Sequence, residues 1–315
     1  MNTSSNRPAL VSIIMPTHNC LEYLPKSVGS VLKQDFTDYE LLIANDGSSD
    51  GSHAWLADLA KKDSRVRVLT LTGVGVSKAR NLALSHCKGR YVAFIDADDY
   101  WYPGKLAHQI GFHVANPEVS LSFTNYLHVD PAGKTHGDCF SYWSWFNRRA
   151  HADDQFHTLE HIALAHIFAE NVIGTSTVVT TKAALQNANG FDDKLRSASD
   201  WDLWLRIARQ GGVGYSREIY ADYLMRPGSI SGNAKLRLEQ MDRIIATHQR
   251  DVGKISPVAV ARAWGRLATG YAEHYRAQHQ PVRALLAHLK ACALSPSMRV
   301  FRATADGALR LARVR

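Results

Sequence analysis

Apolar and amphipathic stretches alternate along the first hundred residues of the chain. Apolar runs of strand length lie at 10–15, 39–44, 66–71 and 91–95. The stretches between them, at 21–34, 52–62 and 78–87, carry apolar side chains at helical spacing. Strands that alternate with helices favour βαβ units and a parallel sheet with both faces covered. We therefore expect an α/β fold with a mostly parallel, Rossmann-like sheet flanked by helices.

The pattern changes after residue 100 and again near residue 233. Strand-like runs occur at 119–130, 175–181 and 213–224, helical stretches occur at 157–170 and 199–211, and the segment 135–156 is irregular and aromatic. Helical periodicity then continues through 234–249, 257–278, 282–293 and 298–312. We expect a flexible N-terminus over 1–9, one large domain over 10–232 with halves at 10–100 and 101–232, and an α-helical C-terminal extension over 233–315.

Polar side chains follow the expected strands at the points where they end. The segments are Pro16–Asn19, Asn45–Asp50 and Asp96–Asp99. In a parallel sheet these ends gather along one edge, where open α/β sheets bind their ligands. Asp96 and Asp98 place two carboxylates after a buried strand, which suits a divalent cation that also binds substrate phosphates. A solvated acidic turn that stops the strand is the alternative.

Charge and composition narrow the possible partners. The 315 residues carry a net charge of +8, and residues 281–315 contain seven lysines and arginines against one aspartate. A basic terminal segment suits an anionic membrane surface, although a solvated helix face or an oligomer contact would look the same. No recognised nucleic-acid motif accompanies the charge, so we expect no nucleic acid partner.

Cysteine usage and hydropathy indicate the compartment. The four cysteines are scattered without a C-x-x-C pair, which is typical of reduced thiols in a cytosolic protein. The first residues lack the apolar core of a signal peptide, and no apolar run reaches the roughly 18 residues of a membrane span. We expect a cytoplasmic protein, either free or peripheral at the inner face of the cytoplasmic membrane.

Five motifs in order carry a family resemblance over residues 10–231. They are Ser12–Asn19, Asn45–Asp50, Gly75–Asn81, Phe94–Asp99 and Ser199–Arg206. Together they resemble the family 2 glycosyltransferases, which have the GT-A fold, use nucleotide-sugar donors and invert the anomeric centre. The resemblance implies that 10–100 binds the nucleotide and 101–232 binds the acceptor, with the helical extension outside the match.

The resemblance also implies a set of donor-binding residues. Pro16, Thr17 and Asn19 would contact the nucleoside, and Asp46 matches the carboxylate that accepts from the uracil N–H. Arg80 stands where the family has a basic residue near the base and the diphosphate. The donor expected on this basis is a UDP-sugar. Asn45 replaces the first aspartate of the family's usual pair, which leaves the base contact with Asp46.

The acidic motif is implied to hold a divalent metal, either Mn²⁺ or Mg²⁺. Asp98 matches the main metal ligand, and Asp96 matches a residue that contacts the ribose or the metal. One departure concerns the metal shell directly. Many relatives have a histidine where this chain has Arg226, and that histidine can complete the shell. Arg226 cannot bind a cation, but its guanidinium suits a direct clamp on the diphosphate.

Asp200 matches the general base of the family. It would deprotonate the acceptor hydroxyl as the oxygen attacks the anomeric carbon. Its position also suggests an alternative, because Ser199 as N-cap with Asp202 three residues later resembles a capping box. Asp202 is the fallback base. Trp143 and Trp145, in the aromatic segment, are candidates for stacking on the acceptor sugar.

These features predict an inverting glycosyltransferase that moves a hexose from a UDP-sugar to a glycan or lipid-linked acceptor. Synthesis of a bacterial surface polysaccharide would be typical of the resemblance. Two alternatives belong to other classes. One is a nucleotidyltransferase, which usually needs a glycine-rich phosphate loop after the first strand, and Pro16–Asn19 is not one. The other is a catalytically inactive scaffold that acts through its helical tail.

Overall fold

A computed structural model describes residues 10–159, 162–226, 233–296, 301, 304 and 305. The flexible segment expected over 1–9 lies outside these residues, as does most of the helix expected over 298–312. The chain divides into two compact units. The first contains the residues up to 161 together with Val172–Arg226, and the second contains Ile162–Asn171 together with the chain from 227 onward.

The described residues of the first unit contain ten strands. They are β1 (Val11–Thr17), β2 (Tyr39–Asp46), β3 (Val66–Leu71), β4 (Tyr91–Phe94), β5 (Tyr100–Trp101), β6 (Val119–Val129), β7 (Thr135–Asp138), β8 (His157–Thr158), β9 (Val179–Thr181) and β10 (Gly212–Leu224).

Twelve α-helices lie in the described parts of the two units. They are α1 (Leu24–Leu32), α2 (Ser52–Lys62), α3 (Val76–Ser85), α4 (Lys105–Ala115), α5 (Cys139–Tyr142), α6 (Ser144–Asn147), α7 (Ala163–Ala169), α8 (Lys182–Asn187), α9 (Ser199–Ala208), α10 (Ala234–Ile255), α11 (Pro257–Ala277) and α12 (Pro281–Leu294).

The strands form one mixed sheet, with eight of them in the order β3–β2–β1–β4–β9–β6–β10–β5, while β7 pairs with β6 and β8 with β10. Strands β1 to β4 are parallel, and β9 runs antiparallel to both of its neighbours, β4 and β6. Strands β6 and β10 are again parallel to each other. Every residue of β1 and β2 is buried, as expected for central strands that helices cover on both faces.

A polar cluster fixes the loop that enters β4. The Ser12 hydroxyl donates to Glu40 Oε1 at 2.7 Å, and the backbone N–H of Lys88 donates to the same Glu40 oxygen at 2.7 Å. The N–H of Gly89 donates to Ser12 Oγ at 2.8 Å. Buried polar groups need such partners, so these bonds position the strand that leads into the acidic motif.

Three stretches differ from the sequence expectation. Residues 175–181 are not one strand, because Thr175–Thr177 form a 3₁₀ turn before β9 begins. The stretch 157–170 begins with β8, and the described part of it contains the helix α7. The aromatic segment 135–156 contains β7, α5 and α6, because Phe140 and Phe146 are buried against Phe123 and draw the chain onto the core.

The described residues of the second unit form the helices α7, α10, α11 and α12, joined by non-helical residues. Asn233 and Ser256 accept backbone N–H bonds as N-caps of α10 and α11. Close packing follows from small residues, since a Cβ on Gly270 would lie 2.5 Å from a Leu238 methyl carbon. No helix among the described residues has both the length and the hydropathy needed to cross a bilayer.

Replacing Gly89 by alanine should destabilise the sheet. A Cβ at this position would lie 2.5 Å from the Ser12 backbone nitrogen and 2.7 Å from the Val11 carbonyl carbon, neither of which can move aside cheaply. We expect Gly89→Ala to lower the free energy of unfolding by about 1–3 kcal/mol, measured from urea denaturation curves.

Gly29→Ala is the matched control, because it lies within α1 and a Cβ there meets no atom within 4 Å. Alanine should raise the free energy of unfolding by about 0.5–1 kcal/mol at that position. Equal effects of the two substitutions would show that the contact at Gly89 is not a constraint.

Candidate active site

The loops after β1 and β2 are joined by hydrogen bonds across the carboxyl edge of the sheet. The backbone N–H of Asn19 donates to Ser48 Oγ at 2.9 Å, and the Ser49 N–H donates to Asn19 Oδ1 at 2.8 Å. Asn19 has a positive φ of 50°, a conformation that asparagine tolerates better than most residues. The three predicted residues Pro16, Thr17 and Asn19 therefore lie beside the Asn45–Asp50 motif.

Asp46 is buried and holds the turn that precedes α3. Its Oδ1 accepts the backbone N–H groups of Gly73 and Val74 at 3.0 and 2.7 Å, and its Oδ2 accepts the Gly75 N–H at 2.7 Å. Both glycines have positive φ values, 82° and 93°, which glycine adopts without strain. This structural role was missed in the sequence, and the predicted contact with a base stays a prediction.

Arg80 lies on α3 and is almost fully buried, with 6% of its surface exposed. Its Nη2 donates to Asp96 Oδ1 at 2.5 Å, and its guanidinium lies 5.3 Å from the centre of the Phe191 ring. Its Nε is buried and has no hydrogen-bond partner among the described residues. The structure thus brings together two of the predicted residues, Arg80 and Asp96, from different motifs.

Asp98 forms an ion pair with Arg226, which follows the end of β10. The Nε of Arg226 donates to Asp98 Oδ2 at 2.7 Å. Burial and the charge of Asp96 raise the pKa of Asp98, and the Arg226 guanidinium opposes that shift. Arg226 also lies 5.0 Å from the centre of the Tyr23 ring and donates to the Cys20 sulfur at 3.4 Å. The motif residues 227–231 that follow lie outside the described part of the chain.

Asp99, the third carboxylate of the motif, is structural. It is 3% exposed, its Oδ2 accepts from the Ser176 hydroxyl at 2.5 Å, and its Oδ1 accepts from the Leu224 backbone N–H at 3.0 Å. Burial, with the charges of Asp98 and Asp96, raises the pKa of Asp99 well above its usual range. Asp99 therefore ties the acidic motif to the last residue of β10.

The carboxylates of Asp96 and Asp98 are chemically suitable for Mn²⁺ or Mg²⁺, because both ions prefer oxygen ligands. Each carboxylate is instead paired with an arginine, Arg80 or Arg226. Among the described residues, no group of three histidine, cysteine, aspartate or glutamate side chains is arranged to hold a metal ion. In this arrangement of side chains, the donor set does not fit the expected metal.

Asp200 is the second residue of α9, and the capping alternative does not apply to it. The N-cap is Ala198, at a φ of 55°, and it makes no side-chain cap. Ser199 Oγ instead accepts a bond from the Ser77 hydroxyl of α3 at 2.9 Å. Asp200 Oδ2 accepts from the Thr175 hydroxyl at 2.7 Å, and its Oδ1 accepts from the Trp201 N–H at 2.8 Å.

Asp202, the fallback base, binds Arg206 one turn later on α9. Its Oδ2 accepts a hydrogen bond from Arg206 Nε at 2.9 Å and lies 2.8 Å from Arg206 Nη2, as an ion pair. This pairing favours a structural role for Asp202. Trp145 is 5% exposed and lies under the Arg149 guanidinium at 4.3 Å, so packing in the core covers the ring that was expected to stack on a sugar. Trp143 is half-buried and contacts Tyr142 edge-to-face.

The 3₁₀ turn at Thr175–Thr177 connects the acidic motif to the candidate base, and the sequence analysis missed it. Thr175 binds Asp200, while Ser176 accepts the Asp96 backbone N–H at 3.0 Å and donates to Asp99. The Trp101 indole also donates to the Ser176 carbonyl at 2.6 Å. Three adjacent hydroxyl side chains after Gly174 were the available signal, but the threonines and valines of 175–181 are equally typical of a β-strand.

Ser176→Ala should destabilise the protein, because it leaves the Asp96 N–H and the buried Asp99 carboxyl without this partner. We expect a loss of about 1–3 kcal/mol in the free energy of unfolding, measured by urea denaturation. The matched control is Ser85→Ala, where an exposed hydroxyl donates to the Leu82 carbonyl and removal should change stability by about 0.5 kcal/mol or less. Equal losses in the two variants would contradict the role assigned to Ser176.

The likeness to solved structures shows the fold. Residues 1–349 of S. aureus TarS, in complex with UDP-GlcNAc, align with a TM-score of 0.60 at 19% identity over 94% of this chain and 92% of that one. The mannosyltransferase PcManGT from Pyrobaculum calidifontis, in complex with GDP-Man and Mn²⁺, aligns with a TM-score of 0.63 at 18% identity over 97% and 81%. The expected GT-A sheet flanked by helices, with a helical C-terminal region, is confirmed.

Curated relatives are similar over most of this chain's length. The putative teichuronic acid biosynthesis glycosyltransferase TuaG of Bacillus subtilis (strain 168) is 31% identical over 231 residues, which cover 73% of this chain and 84% of TuaG. The hyaluronan synthase of Pasteurella multocida is 27% identical over 244 residues, but the match spans only 23% of that protein.

A third relative has a name that specifies donor and acceptor. It is the UDP-Glc:alpha-D-GlcNAc-diphosphoundecaprenol beta-1,3-glucosyltransferase WfgD of Escherichia coli, 30% identical over 227 residues that cover 71% of this chain and 80% of WfgD. The family model described as glycosyl transferase family 2 matches residues 12–168. From the family match and the TuaG relationship together, the chain belongs to glycosyl transferase family 2.

Proposed function

We propose that this protein transfers a sugar, with inversion at the anomeric carbon, from a nucleoside diphosphate sugar to a hydroxyl group of a glycan or lipid-linked acceptor. The observation that carries the proposal is the link between Asp200 and the acidic motif. Thr175 binds Asp200 and the adjacent Ser176 binds the Asp96 N–H, so one turn of chain connects the proposed base to the proposed diphosphate site.

The donor is proposed to bind along the carboxyl edge of β1, β2 and β4. Pro16, Thr17, Asn19 and Asp46 would hold the nucleoside, and Thr17 supports this because its buried hydroxyl lacks a hydrogen-bond partner of normal geometry within the described residues. Asp46 Oδ2 accepts one backbone bond and retains a lone pair for a base N–H. A UDP-sugar is the proposed donor, as in the TarS complex, whereas PcManGT is bound to GDP-Man.

Arg80 and Arg226 are proposed to face the diphosphate of the donor, together with Asp96. Guanidinium groups match phosphate oxygens in geometry and keep their charge at every physiological pH. As the bond between the anomeric carbon and the phosphate oxygen breaks, its electron pair stays with the leaving nucleoside diphosphate. Positive charge beside that group lowers the energy of the transition state.

Asp200 is proposed as the general base. The acceptor hydroxyl would give its proton to an Asp200 oxygen while the acceptor oxygen forms the bond to the anomeric carbon. Because attack and departure occur on opposite faces of the sugar in one step, the configuration inverts and no covalent enzyme nucleophile is needed. Thr175 and the Trp201 N–H fix the carboxylate, and each oxygen keeps a lone pair for the acceptor.

The expected Mn²⁺ or Mg²⁺ stays a prediction, and no step of this mechanism depends on it. Asp96 and Asp98 would have to release their arginine partners to bind an ion. Held by Asp96 and Asp98 in that way, a divalent ion would supply Lewis-acid charge next to the diphosphate.

The acceptor and the setting are also proposals. TuaG is named for teichuronic acid biosynthesis and WfgD for a diphosphoundecaprenol acceptor, which supports a role in bacterial surface polysaccharide synthesis. A lipid-linked acceptor would suit a cytoplasmic protein at the inner face of the membrane, with the basic C-terminal segment against anionic lipid. The inactive-scaffold alternative would be favoured by loss of Asp98 or Asp200, and both carboxylates are present.

Asp200→Asn should keep donor binding and lose turnover. An amide cannot accept the proton of the acceptor hydroxyl, so we expect kcat to fall by about 10²–10⁴-fold while nucleotide affinity stays within about twofold. Turnover is measured as release of nucleoside diphosphate from a panel of UDP- and GDP-sugars with a lipid-diphosphate GlcNAc acceptor. Calorimetry measures nucleotide affinity.

Asp202→Asn is the matched comparison, because it removes the neighbouring carboxylate of the same helix. We expect it to lower stability through loss of the Arg206 pair and to leave kcat per folded molecule within about threefold. Near-normal turnover of Asp200→Asn, or a larger loss of turnover in Asp202→Asn, would remove Asp200 from the role of base.

A further inference from the structure

We propose that Arg226 takes the place of a divalent metal at this site, so that the protein binds nucleoside diphosphates largely without a metal ion. The inference rests on the proposed donor site and concerns how that site balances charge. The Asp96 and Asp98 carboxylates are suitable metal ligands, but Asp98 is paired with Arg226, which occupies the position of a cation.

Charge balance is the first argument. Asp98 already has a cationic partner in Arg226 at 2.7 Å, and Asp96 has one in Arg80 at 2.5 Å. A metal ion on Asp98 would have to displace the guanidinium, and both cations would then lie beside one carboxylate. An arginine cannot act as a metal ligand, because its guanidinium stays protonated and offers only N–H donors, with no acceptor atom for the ion.

The second argument is the way in which Arg226 is held. Its guanidinium lies 5.0 Å from the Tyr23 ring centre and its Nη2 contacts the Cys20 sulfur at 3.4 Å, so the side chain is oriented before any ligand binds. Its hydrogen bonds to the described residues use two of the five N–H groups of a guanidinium. The side chain is 19% exposed, which leaves part of it open to a ligand.

Arg80 provides independent support from the other end of the acidic motif. Its side chain is 6% exposed, and its Nε is buried with no hydrogen-bond partner in the part of the chain that the structure describes. Buried donors are rarely left without a partner, because an unsatisfied donor destabilises the folded protein. A phosphate oxygen supplies an acceptor for such a donor. Two guanidinium groups can then neutralise a diphosphate from the two ends of one motif.

The test is calorimetric titration of UDP, with GDP as second probe, into the full chain in EDTA and in millimolar Mn²⁺. For wild type we expect dissociation constants in the two conditions within about threefold of each other. Arg226→His should weaken UDP binding in EDTA by about 10–100-fold, the range for loss of a charge-assisted hydrogen bond. Mn²⁺ should restore most of that loss, because imidazole and the released Asp98 carboxylate can share the ion.

Arg226→Gln distinguishes the loss of the guanidinium charge from the gain of a metal ligand, because glutamine removes the charge without adding an imidazole. It should weaken binding in EDTA as Arg226→His does, but Mn²⁺ should restore less of the affinity, because the amide is a poorer ligand than imidazole. If Arg226 were purely structural, its loss would weaken UDP binding equally with and without Mn²⁺, and the two variants would not differ in how much affinity the ion restores.

Arg65 offers a matched control in the same unit. It also pairs with an aspartate, Asp63 at 2.7 Å, and also lies over a tyrosine ring, Tyr39 at 4.9 Å. It immediately precedes β3 and is therefore at the amino end of the sheet, away from the proposed donor site. Arg65→His and Arg65→Gln should leave UDP affinity unchanged in both conditions.

The outcomes separate the inference from the proposed function. Wild-type binding that needs Mn²⁺, with at least a tenfold loss in EDTA, would overturn the metal-replacing role of Arg226 and leave the donor site standing. Unchanged affinity of Arg226→His in EDTA would overturn it as well. Folded wild-type protein that binds neither nucleotide in either condition would contradict the proposed function itself.

Discussion

Three carboxylates within four residues, at the end of a strand buried on both faces, repel one another unless other groups compensate them. In this protein a different group stabilises each of the three carboxylates. Asp96 binds Arg80 of α3, Asp98 binds Arg226 after β10, and Asp99 binds the Ser176 hydroxyl and the Leu224 N–H. The compensating groups come from three distant parts of the sequence, so satisfying the acidic motif also fixes those parts relative to one another.

The geometry of the candidate base follows from the same compensation. Ser176 is held by Asp96 and Asp99, and the preceding Thr175 therefore has a fixed position from which its hydroxyl binds Asp200. A second link runs through α3, where Ser77 binds Ser199 while Arg80 binds Asp96. Two short sets of side-chain hydrogen bonds thus connect the candidate base to the acidic motif, one through Thr175 and Ser176 and one through α3.

Much of this was predictable from the sequence. The four parallel strands and their helices followed from apolar periodicity, and order along the chain placed the motifs at one sheet edge. The partners of the motif residues were not predictable, because no local pattern shows that Asp46 binds the 73–75 turn or that Arg226 binds Asp98. The 3₁₀ turn at Thr175–Thr177 was missed for the same reason. Its side-chain bonds to Asp96, Asp99 and Asp200 are tertiary contacts that override a β-branched propensity.

A crystal structure of the full chain with a UDP-sugar and no added metal would test the central claim most directly, namely that the paired carboxylates and arginines form the donor site. The account predicts that the diphosphate lies within hydrogen-bond distance of the Arg80 and Arg226 guanidinium groups. It also predicts that the anomeric carbon faces Asp200. A nucleotide bound elsewhere, or a diphosphate in the site that touches neither arginine, would contradict it.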